Sequence, residues 1–227
     1  MTLLLASAAF WLSLQPAWGQ PKPGDLLAYG PRKEKRIALT FDDGPGPHTE
    51  KFLELLDRYQ AKATFFMLGD QVQKRSKIAK RVSEKGHEIG SHTMWHVSYR
   101  TRQPHEAKKE LLDDLNESSK IIERSVGIRP TILRMPKGAD RPWIRDAAKE
   151  AGLILVNWSY GADWSGEPVE RLKESYKRAI HPGAILLLHD GWGRTDKSLI
   201  LAEAVLQAAK EEGYEVVPVG TLIGLER

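Results

Sequence analysis

Short apolar runs alternate with amphipathic segments along most of the chain. The apolar runs predict strands, and the segments between them place apolar residues three and four positions apart, which predicts helices. The predicted strands cover residues 36–41, 63–67, 88–91, 131–135, 153–158, 184–188 and 214–217, and the predicted helices cover 50–59, 72–84, 104–125, 143–150, 170–179 and 199–212. About seven successive strand–helix units predict an α/β fold whose parallel strands either close into a (β/α) barrel or form an open, doubly wound sheet.

The first 35 residues do not follow this alternation. Residues 1–19 carry no charge, and Ala17 and Gly19 are small residues at the −3 and −1 positions of a cleavage site. This pattern predicts a secretory signal peptide, although no Lys or Arg precedes the apolar stretch; the alternative is an uncleaved membrane anchor, for which the stretch is short. Residues 20–35 hold three prolines and two glycines and are predicted to be a linker or an early loop before a domain that covers residues 36–227.

Composition narrows the class of partner. A chain of 227 residues with 41% hydrophobic residues suits one globular domain. Its net charge of +4 and pI of about 9.2 fit an anionic polymer or surface, but the basic residues are interspersed with acids, so we expect no nucleic-acid partner. The absence of cysteine excludes disulfides, thiolate chemistry and cysteine-ligated zinc.

Ionisable residues follow five of the predicted strands. In β/α barrels the catalytic groups lie at the carboxyl ends of the strands, and no Gly-x-Gly-x-x-Gly segment follows the first strand to indicate a dinucleotide site. We therefore predict a functional site at these ends, formed by Asp42, Asp43, His92, His96, Arg134, Asp163 and His189.

Two histidines and one aspartate have the chemistry of a metal site. His92 and His96 are four residues apart, a spacing that would place both imidazoles on one face of a helical turn. Two imidazoles and a carboxylate form a common catalytic zinc set that leaves a coordination position open, and we assign the carboxylate to Asp43. Zinc, cobalt, nickel and manganese all accept these ligands, so the sequence predicts one divalent ion, with zinc preferred.

The remaining residues supply acid–base chemistry. With Asp43 on the metal, Asp42 is free to act as the base that takes a proton from the attacking water. His189 titrates in the range that a proton donor to the leaving group requires. We expect Arg134 to hold Asp42 by a bidentate pair, and Asp163 to pair with His189 and raise its pKa.

Each of these assignments has a simpler alternative when the residue is taken alone. Arg134 would form a surface salt bridge, His189 would be hydrogen-bonded to the fold, and Asp163 would be an ordinary loop acid. Trp164 and Leu187 are predicted to wall an apolar pocket that fits a methyl group, with packing in the core as their alternative.

The motifs resemble those of the polysaccharide deacetylases, a family of carbohydrate esterases with a distorted (β/α) barrel. The resemblance extends from about residue 36 to the end of the chain. It rests on five segments in the family's order: Thr-Phe-Asp-Asp-Gly-Pro at 40–45, His-Thr-Met-Trp-His at 92–96, Arg-Met-Pro-Lys-Gly at 134–138, Asp-Trp at 163–164 and Leu-Leu-His at 187–189. The resemblance implies the same metal ligands, base and acid as the residues suggest, with Arg134 orienting the base.

Two positions depart from the family's pattern. The third motif usually reads Arg-Pro-Pro-aromatic-Gly, but here Met135 and Lys137 replace a proline and the aromatic residue. The backbone N–H of Lys137 can still donate to an oxyanion, while its side chain makes the wall cationic and indicates an acidic or phosphate-bearing glycan. Tyr160 replaces a second aspartate of the fourth motif, which leaves Asp163 with less predicted support.

The resemblance implies metal-dependent hydrolysis of acetyl groups from N-acetylated sugars of a secreted or cell-envelope polysaccharide, such as peptidoglycan or a chitin-like polymer. Two alternatives stay open. An O-acetyl esterase acting on xylan would use the same site, because only the leaving group differs. A non-catalytic glycan-binding protein would keep the metal ligands without needing Asp42 or His189. Membrane association is expected only through the N-terminal segment.

Overall fold

The computed structural model describes residues 19–99, 101–191 and 195–225. Within these ranges the chain forms nine strands and eight helices. The strands are β1 (Leu26–Leu27), β2 (Arg36–Gly44), β3 (Thr64–Met67), β4 (Glu88–Ser91), β5 (Ile132–Leu133), β6 (Ile154–Val156), β7 (Tyr160–Gly161), β8 (Ile185–His189) and β9 (Glu215–Val216). The helices are α1 (Thr49–Arg58), α2 (Gly69–Lys74), α3 (Ser76–Glu84), α4 (Pro104–Val126), α5 (Pro142–Glu150), α6 (Val169–Arg178), α7 (Thr195–Glu211) and α8 (Val219–Leu222), and a single 3₁₀ turn covers Pro136–Gly138. The predicted signal peptide lies outside the described residues, apart from Gly19.

The strands form one curled, parallel sheet in the order β1-β6-β5-β4-β3-β2-β8-β7, with β9 also paired to β2. Every pairing between these strands is parallel, and helices connect most pairs of strands that follow each other in the sequence. This architecture confirms the predicted α/β fold with a distorted (β/α) barrel. Parallel strands require crossover connections, and the amphipathic helices supply them.

Strand β2 is buried on both faces, as expected for a strand covered by helices outside and by the barrel interior inside. On one side, Phe41 stacks on Phe65 with ring centroids 5.0 Å apart and contacts Phe52 of α1 at 4.9 Å. On the other side, Ala38 belongs to a separate buried cluster that includes Phe66 and Ile185. Burial on both faces fixes the strand that carries the first motif.

The segment 20–35, predicted as a linker or an early loop, packs against the sheet. Leu26 and Leu27 pair in parallel with β6, and Tyr29 forms an antiparallel bridge to Ala184. A two-residue strand has too few positions to show the alternation on which strand prediction depends. The same reason explains why β7 was not predicted.

The predicted helix 72–84 is divided in two at Arg75, whose backbone dihedral angles (φ −131°, ψ 43°) are not helical. The break lets the first N–H groups of α2 reach the carbonyls of Thr93 and Met94, while α3 packs its own apolar face on the core. Across the described ranges, the helices lack the combination of length and apolar composition needed to cross a bilayer.

Candidate active site

The register of the sheet brings the predicted site residues to one edge. Asp42 of β2 lies beside His189 of β8, and Ser91, which precedes His92, lies beside Leu133, which precedes Arg134. The pairing of β2 with β3 shifts register between Asp42 and Gly44 because Asp43, with φ of 72°, forms a bulge. A bulge re-aims a side chain, so two consecutive aspartates can serve the same cavity.

Asp43, His92 and His96 form a cluster whose ligand atoms all lie within 4.8 Å of one another. Asp43 Oδ1 lies 3.3 Å from His92 Nε2 and 3.4 Å from His96 Nε2. This oxygen is buried and has no hydrogen-bond partner among the described residues. The Nδ1–H of His92 donates to the Arg134 carbonyl at 2.7 Å, which directs the Nε2 lone pair towards Asp43. An orphaned carboxylate oxygen facing two imidazoles therefore fits a divalent cation.

The segment between the two histidines is not the helical turn that their spacing predicted. Residues 92–96 form an irregular loop in which Thr93 (φ 72°) and His96 (φ 56°) adopt left-handed backbone conformations. The two imidazole centroids are still 5.1 Å apart. A strained loop therefore brings the two imidazoles together, and no periodic pattern in the sequence predicts such a loop.

Arg134 is fully buried beside Asp42 and donates from Nη1 to Asp42 Oδ1 at 2.8 Å. The expected bidentate pair is wrong, because the other guanidinium donors are already used. Nη1 also contacts Thr40 Oγ1, and Nε and Nη2 donate to the carbonyls of Val156 and Asn157. The fixed guanidinium thus locks one carboxylate oxygen of Asp42 and leaves Oδ2 for other contacts.

His189 and Asp163 form a hydrogen-bonded pair, with His189 Nδ1 2.9 Å from Asp163 Oδ1. Burial lowers the pKa of His189, but the hydrogen bond and the charge of Asp163 outweigh it and raise the pKa to about 9. Asp163 Oδ2 accepts the His189 backbone N–H at 2.9 Å and the Ser198 hydroxyl at 2.5 Å. Ser198, on α7, supplies the support that Tyr160 cannot, and the sequence reasoning missed it because its only signal is a serine on a buried helix face.

A cavity of about 590 Å³ joins these groups. The predicted residues Lys137, Trp164 and Leu187 line it, and so does Trp158, which was not predicted. Lys137 is exposed, adopts φ of 59°, and has no hydrogen bond or ion pair among the described residues. The lining is Asp42, Asp43, His92, His96, Lys137, Trp158, Trp164, Leu187, His189 and Gly191.

Comparisons with known proteins identify the family of this chain. The sequence profile of the polysaccharide deacetylase family matches residues 29–156. The chain is 38% identical over 197 residues to a peptidoglycan-N-acetylglucosamine deacetylase of Bacillus cereus, covering 85% of this chain and 90% of that protein. It is 32% identical to a chitooligosaccharide deacetylase of a Bradyrhizobium species, covering 83% and 90%. The crystal structure of the Bc1960 peptidoglycan N-acetylglucosamine deacetylase matches with a TM-score of 0.80 and 26% identity, over 90% of this chain and 94% of that one.

Proposed function

The chain belongs to the polysaccharide deacetylase family, and from this premise we propose that it hydrolyses the acetamide of N-acetylglucosamine residues in peptidoglycan. One observation carries the proposal. A cluster suited to a cation, a carboxylate held by a buried arginine, and a histidine paired with an aspartate all line the same cavity. Hydrolysis of an amide needs an activated water, a proton acceptor and a proton donor, and these groups supply all three.

Asp43, His92 and His96 would hold one divalent ion, which we propose to be zinc. A divalent cation in such a site activates water and polarises the carbonyl of the acetamide. The protein's part is to keep the two Nε2 lone pairs and the Asp43 oxygen facing one point. The hydrogen bond from His92 to the Arg134 carbonyl supports this by fixing the tautomer of His92.

Asp42 accepts the proton of the attacking water. Its Oδ1 is occupied by Arg134, so Oδ2 is the oxygen left to receive that proton. Asp42 Oδ2 lies 3.8 Å from His92 Nε2, which keeps the base next to the proposed metal ligands. The buried guanidinium stabilises the negative charge that the carboxylate must carry before it accepts the proton.

His189 donates a proton to the leaving amine. Because its Nδ1 is bonded to Asp163 Oδ1, its Nε2 is the nitrogen that carries the proton for transfer. The raised pKa of about 9 keeps that proton in place at neutral pH. Water adds to the acetamide carbon, the carbon–nitrogen bond breaks, and acetate and the free amine leave.

The cavity supports a sugar with a small acyl group. Trp164, which is 42% exposed, and Leu187 form an apolar wall for the acetyl methyl, and the Lys137 backbone N–H is the proposed donor to the oxyanion. The unpaired Lys137 side chain supports a glycan that carries carboxylates, as peptidoglycan does. Such a polymer requires an extracytoplasmic location, and we propose that residues 1–19 direct secretion; mass spectrometry of the secreted protein would find Gln20 at its start, and an intact Met1 would contradict cleavage.

Acetate release tests the proposed activity. The purified chain is assayed on peptidoglycan, chitooligosaccharides and acetylated xylan, before and after a chelator and after zinc is restored. We expect chelator-sensitive acetate release that is fastest on peptidoglycan. Faster release from acetylated xylan would identify an O-acetyl esterase, and glycan binding without acetate from any substrate would identify a binding protein.

A further inference from the structure

We propose that Asp114, on α4, is a positioning residue that holds the loop between His92 and His96 in its ligand-binding shape. Asp114 contacts neither imidazole. It acts through the backbone of Met94, in the middle of the loop. This inference rests on the metal set proposed above, and it adds a residue that lies outside every motif in the sequence.

The contact made by Asp114 is short and shielded from water. Asp114 Oδ1 accepts the Met94 N–H at 2.7 Å, and the two residues are 8% and 1% exposed. Asp114 forms no ion pair with any residue in the described ranges, so backbone N–H donation has to compensate its burial. A carboxylate is costly at a buried helix position unless it is hydrogen-bonded. The neighbouring buried positions Leu111 and Leu115 of α4 are apolar, whereas Asp114 is a buried ionisable residue on this helix.

A second contact from α4 holds the same peptide. Ser118, one helical turn after Asp114, donates from Oγ to the Thr93 carbonyl at 3.2 Å and lies 3.0 Å from Ser91 Oγ. Asp114 therefore binds the N–H that follows Thr93, while Ser118 binds its carbonyl. The two side chains share one face of the helix because they are four residues apart.

Helix α2 also holds this loop. The N–H groups of Gly69 and Asp70 donate to the carbonyls of Thr93 and Met94 at 3.0 and 3.2 Å. A Cβ at Gly69 would lie 2.4 Å from Met94 Sδ, so a larger residue here would displace the Met94 side chain. Two helices therefore hydrogen-bond to the backbone of Thr93 and Met94, at the centre of the loop.

The loop needs this grip because its backbone is unfavourable on its own. Thr93 and His96 both have positive φ, and left-handed conformations persist for such residues only where surrounding contacts impose them. Released from Asp114, the loop would relax towards ordinary dihedral angles, and the His96 imidazole would move away from His92 and Asp43. Weaker metal binding is the expected consequence.

The test compares Asp114→Ala with a matched control. Asp113→Ala removes a carboxylate from the preceding residue of α4, where the side chain is exposed and pairs with Lys109. Zinc is titrated into each metal-free protein by calorimetry, and thermal unfolding of the metal-free proteins is measured alongside. We expect Asp114→Ala to weaken zinc binding about 10- to 100-fold, as changes behind metal ligands do, and Asp113→Ala to leave it unchanged. Asp114→Asn keeps an acceptor oxygen and should restore most of the affinity.

Three results would overturn the inference. The first is wild-type zinc affinity in Asp114→Ala. The second is an equal loss of zinc affinity in Leu206→Ala, a substitution in the core on α7 away from the site, when its decrease in Tm matches that of Asp114→Ala. If Asp114→Ala does not fold, Ser118→Ala takes its place, and unchanged affinity there is the third. A wild-type chain that binds no zinc would overturn the proposed function as well, whereas tight binding that is insensitive to Asp114 overturns this inference alone.

Discussion

The metal half of the site, where Asp43, His92 and His96 are proposed to bind the ion, and the proton-donor half, formed by His189 and Asp163, are held by different means. In the metal half, Asp43, Thr93 and His96 all have positive φ, and helices grip the loop by its backbone. In the proton-donor half, His189 ends a regular strand and is held by the side chain of Asp163. One half depends on the shape of a loop, and the other depends on the charge of a partner.

Because the two halves are held differently, substitutions in each half should affect activity differently. Loss of a metal ligand removes a coordinating atom that no neighbour replaces, so its effect should be all or none. Loss of a partner of His189 should change a pKa, so its effect should be graded and depend on pH. Substitutions in each half can test that contrast.

Removing a metal ligand should have the largest effect. His92→Ala deletes one of two imidazoles, and we expect zinc affinity to fall by more than the roughly 100-fold that outer-shell changes reach, with acetate release at background. Calorimetry and an acetate assay measure both. His181→Ala, at a histidine outside the cavity, is the control. Substantial acetate release by His92→Ala would contradict the assigned ligand set.

Removing the base should abolish turnover but not metal binding. Asp42→Asn keeps the size of the side chain and removes its capacity to accept a proton, so kcat/KM should fall about 10²- to 10⁴-fold. Zinc titration of the same protein should match the wild type, because Asp42 is not a proposed ligand. Retained turnover would remove Asp42 from its assigned role.

Removing the partner of His189 should shift the pH dependence. The pKa of His189 is about 9, so the donor stays protonated below that pH and activity should fall as pH rises through it. In Asp163→Asn the pKa should return towards the ordinary 6.5, which moves this fall to lower pH and reduces activity on the order of tenfold at pH 8. A pH–rate profile measures the shift, and an unmoved upper limb would contradict the pairing.

The same pair carries a stability contribution of known sign. Because the folded-state pKa of His189 is raised, its contribution to the free energy of unfolding is complete below about pH 6.5 and is lost as pH rises through about 9.

The pKa of His87, another buried histidine, shifts in the opposite direction. It is buried without a carboxylate hydrogen bond in the described chain, and burial, with nearby Lys62, lowers its pKa to about 4. The carboxylate partner, not burial, raises the pKa of His189, as its proposed role as proton donor requires.

Removing the support of Asp163 should have a smaller effect. Ser198→Ala deletes a buried hydrogen bond to a carboxylate, which should lower the free energy of unfolding by about 1–3 kcal/mol and reduce activity modestly. Urea unfolding and the pH–rate profile measure the two effects. Unchanged stability and an unchanged profile would show that Asp163 needs no support from α7.

Changing the cationic wall should have the smallest effect, on specificity alone. Lys137→Tyr removes one exposed charge from the cavity, and the ratio of rates on carboxylate-bearing and neutral glycans should fall by up to about fivefold. Paired assays on peptidoglycan fragments and chitooligosaccharides give that ratio. An unchanged ratio would mean that Lys137 does not select for charge.

The repeated strand–helix pattern could be predicted from the sequence because each unit buries an apolar stripe of recognisable period. The motif residues could be predicted to share a site because the carboxyl ends of parallel strands meet. The break at Arg75 and the short strand β7 could not, since tertiary contacts decide them. Asp114 and Ser198 could not either, because a single polar residue on a helix face carries no periodic or motif signal.

The conformation of the loop between His92 and His96 could not be predicted from the sequence either. The spacing of His92 and His96 indicated the correct neighbours through an incorrect conformation, a helical turn. The left-handed backbone conformation of Thr93 is imposed by contacts from helices that are distant in the sequence. Sequence spacing therefore predicted that the two histidines lie together, and only the fold determined their geometry.

Zinc titration coupled to acetate release tests whether one bound ion makes the chain a deacetylase. The chain is stripped of metal, zinc is added in steps, and acetate released from peptidoglycan is measured at each step. We expect activity to rise in proportion to zinc and to saturate at one equivalent per chain. Full activity in the stripped protein, or zinc binding that leaves acetate release at zero, would contradict it.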